Sequence, residues 1–403
     1  MTMRRIRKPG WGPVIGAVLT ILLGVGPAPS QDLQSRVEYL SDPSLAGRRS
    51  GTPGAAEAAA YILEQFETLG LDSEYQQIDA GRRNVVARLG DSEPHIIVGA
   101  HYDGQGGRNP GASDNAAGVA VMLELAGAFA AAPPAASIVF VAFDDEEQGL
   151  NGSRFYAANP RYPLEDTRAV VILDTMGRSF VDLDQWALIV LGTERSTALA
   201  TIVADHRDQD TMAIGTDLIG ARSDFAPFAT RGVPYLFFTN ATHADYHGTG
   251  DTPDRIRFDE LADDVATIRA VITDIAALDE DPVFLDTPEY PPLEANALGE
   301  MLTRVEESRA VDDDFRVLFA DARRRLEADP GRVNLRLATE LLLGAATPRF
   351  SFFSLAYMLA PLYESEGAPD LALAAYRAAL DVAPDAGTRA GVESRIEDLA
   401  RSD

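Results

Sequence analysis

Between Asn84 and about Leu278 the chain alternates two apolar patterns. Short continuous runs, NVVARL, HIIVGA, SIVFVAF, AVVILD, WALIVLG and PYLFF, read as strands. Longer stretches with helical periodicity, Ala116–Ala132, Ser196–His206 and Asp259–Leu278, read as helices. Ahead of them, DLQSRVEYLSDPSLAGRRSGTPGAAEAAAYILEQFETLGL reads as a helix, a glycine-rich loop and a second helix. Continuous runs of Val, Ile and Phe imply strands covered on both faces. The expected fold class is therefore α/β, a mixed and largely parallel central sheet with helices on both faces.

The pattern changes at residue 280. The stretch LDEDPVFLDTPEYPPLEA carries four prolines and many acids, and residues 280–295 read as a linker. Beyond it, Asn296–Asp403 is rich in Ala, Leu, Arg and Glu and offers no strand candidate. Here Tyr363, Gly367, Ala372, Tyr376, Ala379 and Pro384 fall at the spacing of a tetratricopeptide repeat. One repeat is covered, with RRRLEADP as a degenerate second. Solenoids of this kind need about three repeats to bury a core. The region is therefore expected to pack on the α/β part, on a protein partner or on a second copy, and a plain helical hairpin fits the residues equally.

The first 30 residues have another character. Arg4, Arg5, Arg7 and Lys8 precede an apolar stretch from Trp11 to Val25, and Ala28 and Ser30 offer small residues for cleavage before Gln31. This is the layout of a secretory signal peptide. The stretch is short for a membrane span, which needs about 20 residues, so an uncleaved anchor is the weaker alternative. Residues 31–279 then form the α/β domain of an exported protein, periplasmic or extracellular, without stable membrane insertion.

Composition removes several chemistries. With 35 basic and 62 acidic side chains the net charge is −27, which repels nucleic acid and anionic lipid. There is no cysteine, hence no thiol nucleophile, thiolate metal site or disulfide. Any metal must be held by His, Asp and Glu.

Such residues stand where the strands end. HIIVGA runs into His101, SIVFVAF into Glu146 and Glu147, AVVIL into Asp174, and PYLFF through a short loop into Tyr246 and His247. Asp114 lies in a turn before the first long helix. In open α/β sheets ligands bind outside the carboxyl ends of the strands. Carboxylates crowded there repel one another unless cations neutralise them. Two dications answer this: His101 and Asp174 hold one, Glu147 and His247 the other, and Asp114 bridges them. Each ion then has three protein donors and an open position, as in catalytic sites. Imidazole and carboxylate donors suit zinc, with cobalt or manganese as substitutes. Of the adjacent glutamates, Glu147 is read as ligand and Glu146 as the general base. Asp103, two residues past His101, is read as the carboxylate orienting that imidazole. His95, His206 and His243 are read as structural or surface residues.

The stretches GAHYDG, GASDNAAGVAVMLELA, FVAFDDEEQGLNGSRFYA, VILDTMG, SDFAPFATRGVPYLFF and DYHGTGDTPDRI, between about Val85 and Ile256, resemble the secreted bacterial di-zinc aminopeptidases. The wider family includes glutamate carboxypeptidase and glutaminyl cyclase. The resemblance implies a zinc-exopeptidase (phosphorylase/hydrolase-like) fold, peptide substrates, the same five metal ligands and the same base. It also implies a role for Tyr246 in polarising the scissile carbonyl. The sequence departs from the family pattern at Phe225 (SDF in place of Ser-Asp-His), at HGTGDT, which lacks a proline, and at Asp145, where glycine is common. The activity expected is removal of N-terminal residues from peptides. A carboxypeptidase or dipeptidase would need a cation for the substrate carboxylate, with Arg222 and Arg178 the candidates. A binding protein acting through its helical region is the non-enzymatic alternative.

Overall fold

The computed structural model describes residues 29–208, 210–216, 220–289, 292–307, 313–346, 354–383 and 385–401. The leader, residues 1–28, lies outside them. The chain opens with helices α1 (Pro29–Leu40) and α2 (Pro53–Thr68), then strands β1 (Asp72–Gln77), β2 (Arg83–Leu89) and β3 (His95–His101). Helix α3 (Gly118–Ala131), β4 (Ser137–Phe143), α4 (Asn151–Ala158) and β5 (Thr167–Leu173) follow. Next come β6 (Leu188–Leu191), α5 (Thr197–His206), β7 (Thr211–Ile214), the single turn α6 (Ala226–Ala229), β8 (Tyr235–Thr239) and α7 (Phe258–Ala276).

The strands form one eight-stranded sheet in the order β1-β2-β4-β3-β5-β8-β6-β7. Its centre, β4-β3-β5-β8, is parallel throughout, so four consecutive strand ends face the same edge. The flanks are antiparallel at β1/β2, β2/β4 and β8/β6. Alternation along each strand feeds two cores. Ala87, Ile96 and Val98 pack beneath α1, α2, α3 and α7, while Val86, Ile97 and Val139 face the opposite layer. Apart from Glu124, which pairs with Arg36, helix α3 is apolar on every side, as expected of a helix enclosed by the domain. The expected α/β class, mixed and largely parallel, is the one observed.

Residues beyond α7 complete the opposite layer with helices α8 (Pro292–Glu307), α9 (Asp313–Ala328), α10 (Arg332–Ala346), α11 (Ala360–Ser365), α12 (Pro369–Asp381) and α13 (Ala386–Ala400). Helix α8 starts inside the stretch read as a linker, because a proline is tolerated in a first helical turn. The rest of that stretch is fastened to the α/β part. Leu285 N–H donates to Arg195 O at 2.8 Å, Glu289 N–H to Glu194 O at 2.9 Å, and Arg168 Nε to Asp281 at 2.7 Å. Of the repeat-like positions, Tyr363, Ala372, Tyr376 and Ala379 are buried, Gly367 turns the chain at φ +70°, and Pro384 lies outside the described residues.

Candidate metal centre

The parallel strands deliver the polar residues to one place. His101 is the last residue of β3, Glu146 and Glu147 lie in the turn after β4, and Asp174 follows β5 directly. Tyr246 and His247 stand on the loop after β8, and Asp114 sits in the irregular turn Ala112–Ala117 that starts α3. Non-glycine residues with left-handed backbones mark these corners: Asp145 at φ +62°, Thr175 at +55° and His247 at +59°. Such conformations cost of order 1 kcal/mol each and persist where the surroundings fix them. At Asp145 a glycine, the residue the family pattern leads one to expect, would adopt this backbone without strain. Here the aspartate is held instead by an ion pair with Arg82 and by the Asn151 amide, which donates to it at 2.9 Å.

Two donor sets share one carboxylate. His101, Asp114 and Asp174 form a buried set, and Asp114, Glu147 and His247 a more exposed one, the donor atoms within each lying within 4.8 Å of one another. Asp114 turns Oδ1 to His101 Nε2 at 3.3 Å and Oδ2 to His247 Nε2 at 3.0 Å. Each imidazole also faces a carboxylate of its own, Asp174 at 3.3 Å and Glu147 at 3.2 Å. The other Glu147 oxygen is buried without a hydrogen-bond partner, a vacancy that a cation would fill. The donors thus fit two small dications of the zinc type.

Neighbouring groups fix these donors. His101 Nδ1 lies 3.2 Å from the Asp103 carbonyl, leaving Nε2 for the shared site. The Asp103 carboxylate, read from sequence as the group orienting that ring, is 3.6 Å away and instead accepts from the Glu146 and Glu147 amides at 3.0 and 3.4 Å. It therefore pins the turn carrying Glu146 and Glu147. Ser223 and Thr175 hydroxyls donate to Asp174 at 2.6 and 3.0 Å. The Gln105 carboxamide touches both Glu147 and His247 Nδ1. Its amide nitrogen donates to the Glu147 carboxylate and lies 3.3 Å from His247 Nδ1, so it ties the two side chains together.

Sequence reading missed Arg48. Its guanidinium is fully buried behind the cluster and donates to the carbonyls of Tyr102, Pro110 and Gly111 at 3.0, 2.7 and 2.9 Å, and to Leu40 O. It clamps both ends of the loop joining His101 to Asp114. The neighbouring Gly47 gives that loop room, since a Cβ there would lie 2.6 Å from Asn109 O. The glycine-rich LAGRRSG was the only sign, and nothing in it points to a clamp.

The electrostatics are those of a crowded acidic nest. Burial raises the Glu146 carboxyl well above its usual range, and Asp174, Asp224 and Glu147 push it further, against His101. Burial and Asp114 lift Glu147 to about 7. Burial disfavours both imidazolium ions, yet the carboxylates prevail and raise His101 well above its usual value and His247 to about 10. Burial also raises the Tyr246 phenol, with Asp114, Asp174, Glu147 and Glu146 adding to it. Its ring stacks on His247 at 3.9 Å, so the hydroxyl shares their surroundings. Phe225 turns away into the core, stacked on Tyr235 at 4.9 Å.

Residues 84–272 match the model of peptidase family M28. Over that stretch, just under half of its length, the chain resembles the peptidases of this family. A probable zinc metalloprotease of Pyricularia oryzae is 43% identical over 106 residues, 24% of this chain and 21% of its own length. Aminopeptidase YwaD of Bacillus subtilis is 27% identical over 235 residues, covering 54% of this chain and 50% of its own. This chain therefore spans between a fifth and a half of these two relatives. Among solved structures, an aminopeptidase from Aneurinibacillus sp. strain AM-1 matches with TM-score 0.53 and 18% identity, over 65% of this chain and 96% of that one. A glutaminyl cyclase from Porphyromonas gingivalis matches with TM-score 0.53 and 18% identity, over 61% and 98%. These likenesses show the M28 fold, shared by the two activities, and the site must separate them.

Proposed function

We propose that the protein is an exported aminopeptidase that holds two zinc ions and removes N-terminal residues from peptides. The observation that carries this reading is Asp114, whose two oxygens each face an imidazole that also faces a carboxylate of its own. When bound, the ions lower the pKa of a water to about 7 and polarise the scissile carbonyl. The other roles fall to the chain. Glu146 binds no partner through its carboxylate among the described hydrogen bonds, and its charge is felt by His101 of one donor set and Glu147 of the other. It takes the proton of the attacking water and passes it to the leaving amine. The Tyr246 hydroxyl stabilises charge developing on the carbonyl oxygen. The carboxylates of the cleft, Glu146 and Asp174 among them, hold the free α-ammonium of the substrate. Relatives named as aminopeptidases support this reading. A carboxypeptidase is disfavoured by Arg178, which is buried and already paired with Asp182 and Asp245.

In the variant Glu146→Ala, zinc content stays at two ions per chain while kcat on leucine p-nitroanilide falls by about 10²–10⁴. Chelation abolishes wild-type activity, and zinc or cobalt restores it. Near wild-type turnover in the variant removes Glu146 from the mechanism. Equal hydrolysis of N-blocked and free-amine dipeptides removes the aminopeptidase reading.

Export is part of the same proposal. Lys8 is the only lysine in the chain. A protein cleaved before Gln31 therefore takes an amine-reactive label at one α-amine at most, whereas the uncleaved chain takes two. Exported protein carrying a labelled Lys8, seen by mass spectrometry, refutes leader removal.

A further inference from the structure

The loop bearing Tyr246 and His247 is fastened at both ends to one buried side chain, Ser113. At its start, His243 Nδ1 accepts the Asp245 N–H at 3.2 Å, which places the ring hydrogen on Nε2, 2.7 Å from Ser113 Oγ. At its end, Asp251 Oδ1 accepts the Ser113 hydroxyl at 2.9 Å. The Asp251 carboxylate also accepts the backbone N–H groups of Ser113 at 3.0 Å and Asp114 at 3.1 Å, and its carbonyl accepts that of Ala112 at 3.1 Å. All three side chains are buried. Burial, reinforced by Arg178, lowers His243 to about 4, so its ring is neutral.

Serine, histidine and aspartate are the types of a nucleophilic triad, but here the order is wrong for one. The imidazole donates to the serine, the serine donates to the carboxylate, and no face is open to a substrate. The chain His243 to Ser113 to Asp251 is instead a clasp, closed next to the shared ligand Asp114.

We propose that Ser113 is a positioning residue that sets the spacing between Asp114 and His247, and so governs the Asp114/Glu147/His247 metal position. The inference rests on the two-ion reading above. Asp114 serves both sets, but only this one also depends on the clasped loop. His101 and Asp174 are held by the Asp103 carbonyl and by Ser223 and Thr175, outside the clasp.

The test titrates zinc against a chromophoric chelator in wild type and Ser113→Ala. The second ion should bind about 10- to 100-fold more weakly, the cost typical of lost outer hydrogen bonds, and the first within about threefold of wild type. In the zinc-free protein, backbone hydrogen exchange over residues 244–250 should quicken. Unchanged affinities, or an equal loss at both positions, overturn the proposal. If wild type takes one ion only, the two-ion reading fails by itself. The clasp is then judged by exchange, and unchanged exchange in Ser113→Ala overturns it. If Ser113→Ala does not fold, His243→Leu opens one end of the clasp and is decided by the same two measurements.

Discussion

Asp264 places both carboxylate oxygens in the core, away from the candidate metal centre. Oδ1 accepts Trp186 Nε1–H and Oδ2 accepts an Asn240 side-chain N–H, each at 3.0 Å. Asn240 in turn accepts the Gly177 N–H at 2.7 Å and donates to Ala187 O at 2.9 Å, so one acid on α7 organises the ends of β5, β6 and β8. Burial outweighs the two accepted hydrogen bonds and pushes the acid up to about 7, against 3.8 when free. The folded state therefore holds this proton more tightly than the unfolded one. The stability it contributes is complete below about pH 4 and is lost as pH rises through 7. At about 1.4 kcal/mol per unit, the whole span is worth at most roughly 4 kcal/mol. In Asp264→Asn this dependence disappears. The unfolding free energy of wild type minus that of the variant should thus fall from pH 5 to pH 8, as read by urea denaturation. A flat difference would show that the acid titrates normally.

Elements show which parts of this molecule were legible. The strands β2, β3, β4, β5, β6 and β8 stood out because each is a continuous apolar run buried on both faces. β1 is an edge strand with polar, alternately exposed residues (DSEYQQ), and β7 (TMAI) lacks the flanking apolar residues that extend β6 into WALIVLG, so neither leaves a pattern strong enough to read. The clustering of the candidate donors His101, Glu147, Asp174 and His247 was legible for the same reason as their strands, since a parallel sheet presents its carboxyl ends together. The groups that hold those donors were not. Arg48 reaches carbonyls 54 to 63 residues away, and Ser113 meets His243 and Asp251 across 130 and 138 residues. Periodicity reports what a residue does within its own element, whereas these contacts exist only once distant loops are folded together. Asp103 shows the intermediate case. Its spacing from His101 marked it as a helper, but its partners, the amides of the turn after β4, depend on strand order.

The whole molecule raises the question of whether its helical third is a separate unit. The apolar cluster on one face of the sheet runs without a break from Ile189, Leu191 and Met212 into Leu298, Leu302, Leu318 and Tyr363. Polar contacts cross the same boundary. The Glu294 carboxylate, buried at 1% exposure, accepts the Gly215 N–H at 2.6 Å, and Arg304 donates to Trp186 O at 2.8 Å. An adaptor on a flexible tether would show neither a shared core nor buried polar contacts, because inter-domain contacts of mobile modules are small and wet. Cutting the helices away would expose the face of β6 and β7 and leave the Gly215 amide without its acceptor. With a net charge of −27 the chain also resists compaction by self-repulsion, which makes that shared burial more important. Full-length protein should therefore unfold in a single calorimetric transition of roughly 280 kcal/mol, at about 0.7 kcal/mol per residue near 60 °C. Its van't Hoff enthalpy should match the calorimetric one. Two resolved peaks, or a calorimetric enthalpy near twice the van't Hoff value, would show that the helices fold as a module of their own and would favour the alternative of a binding protein acting through its helical region.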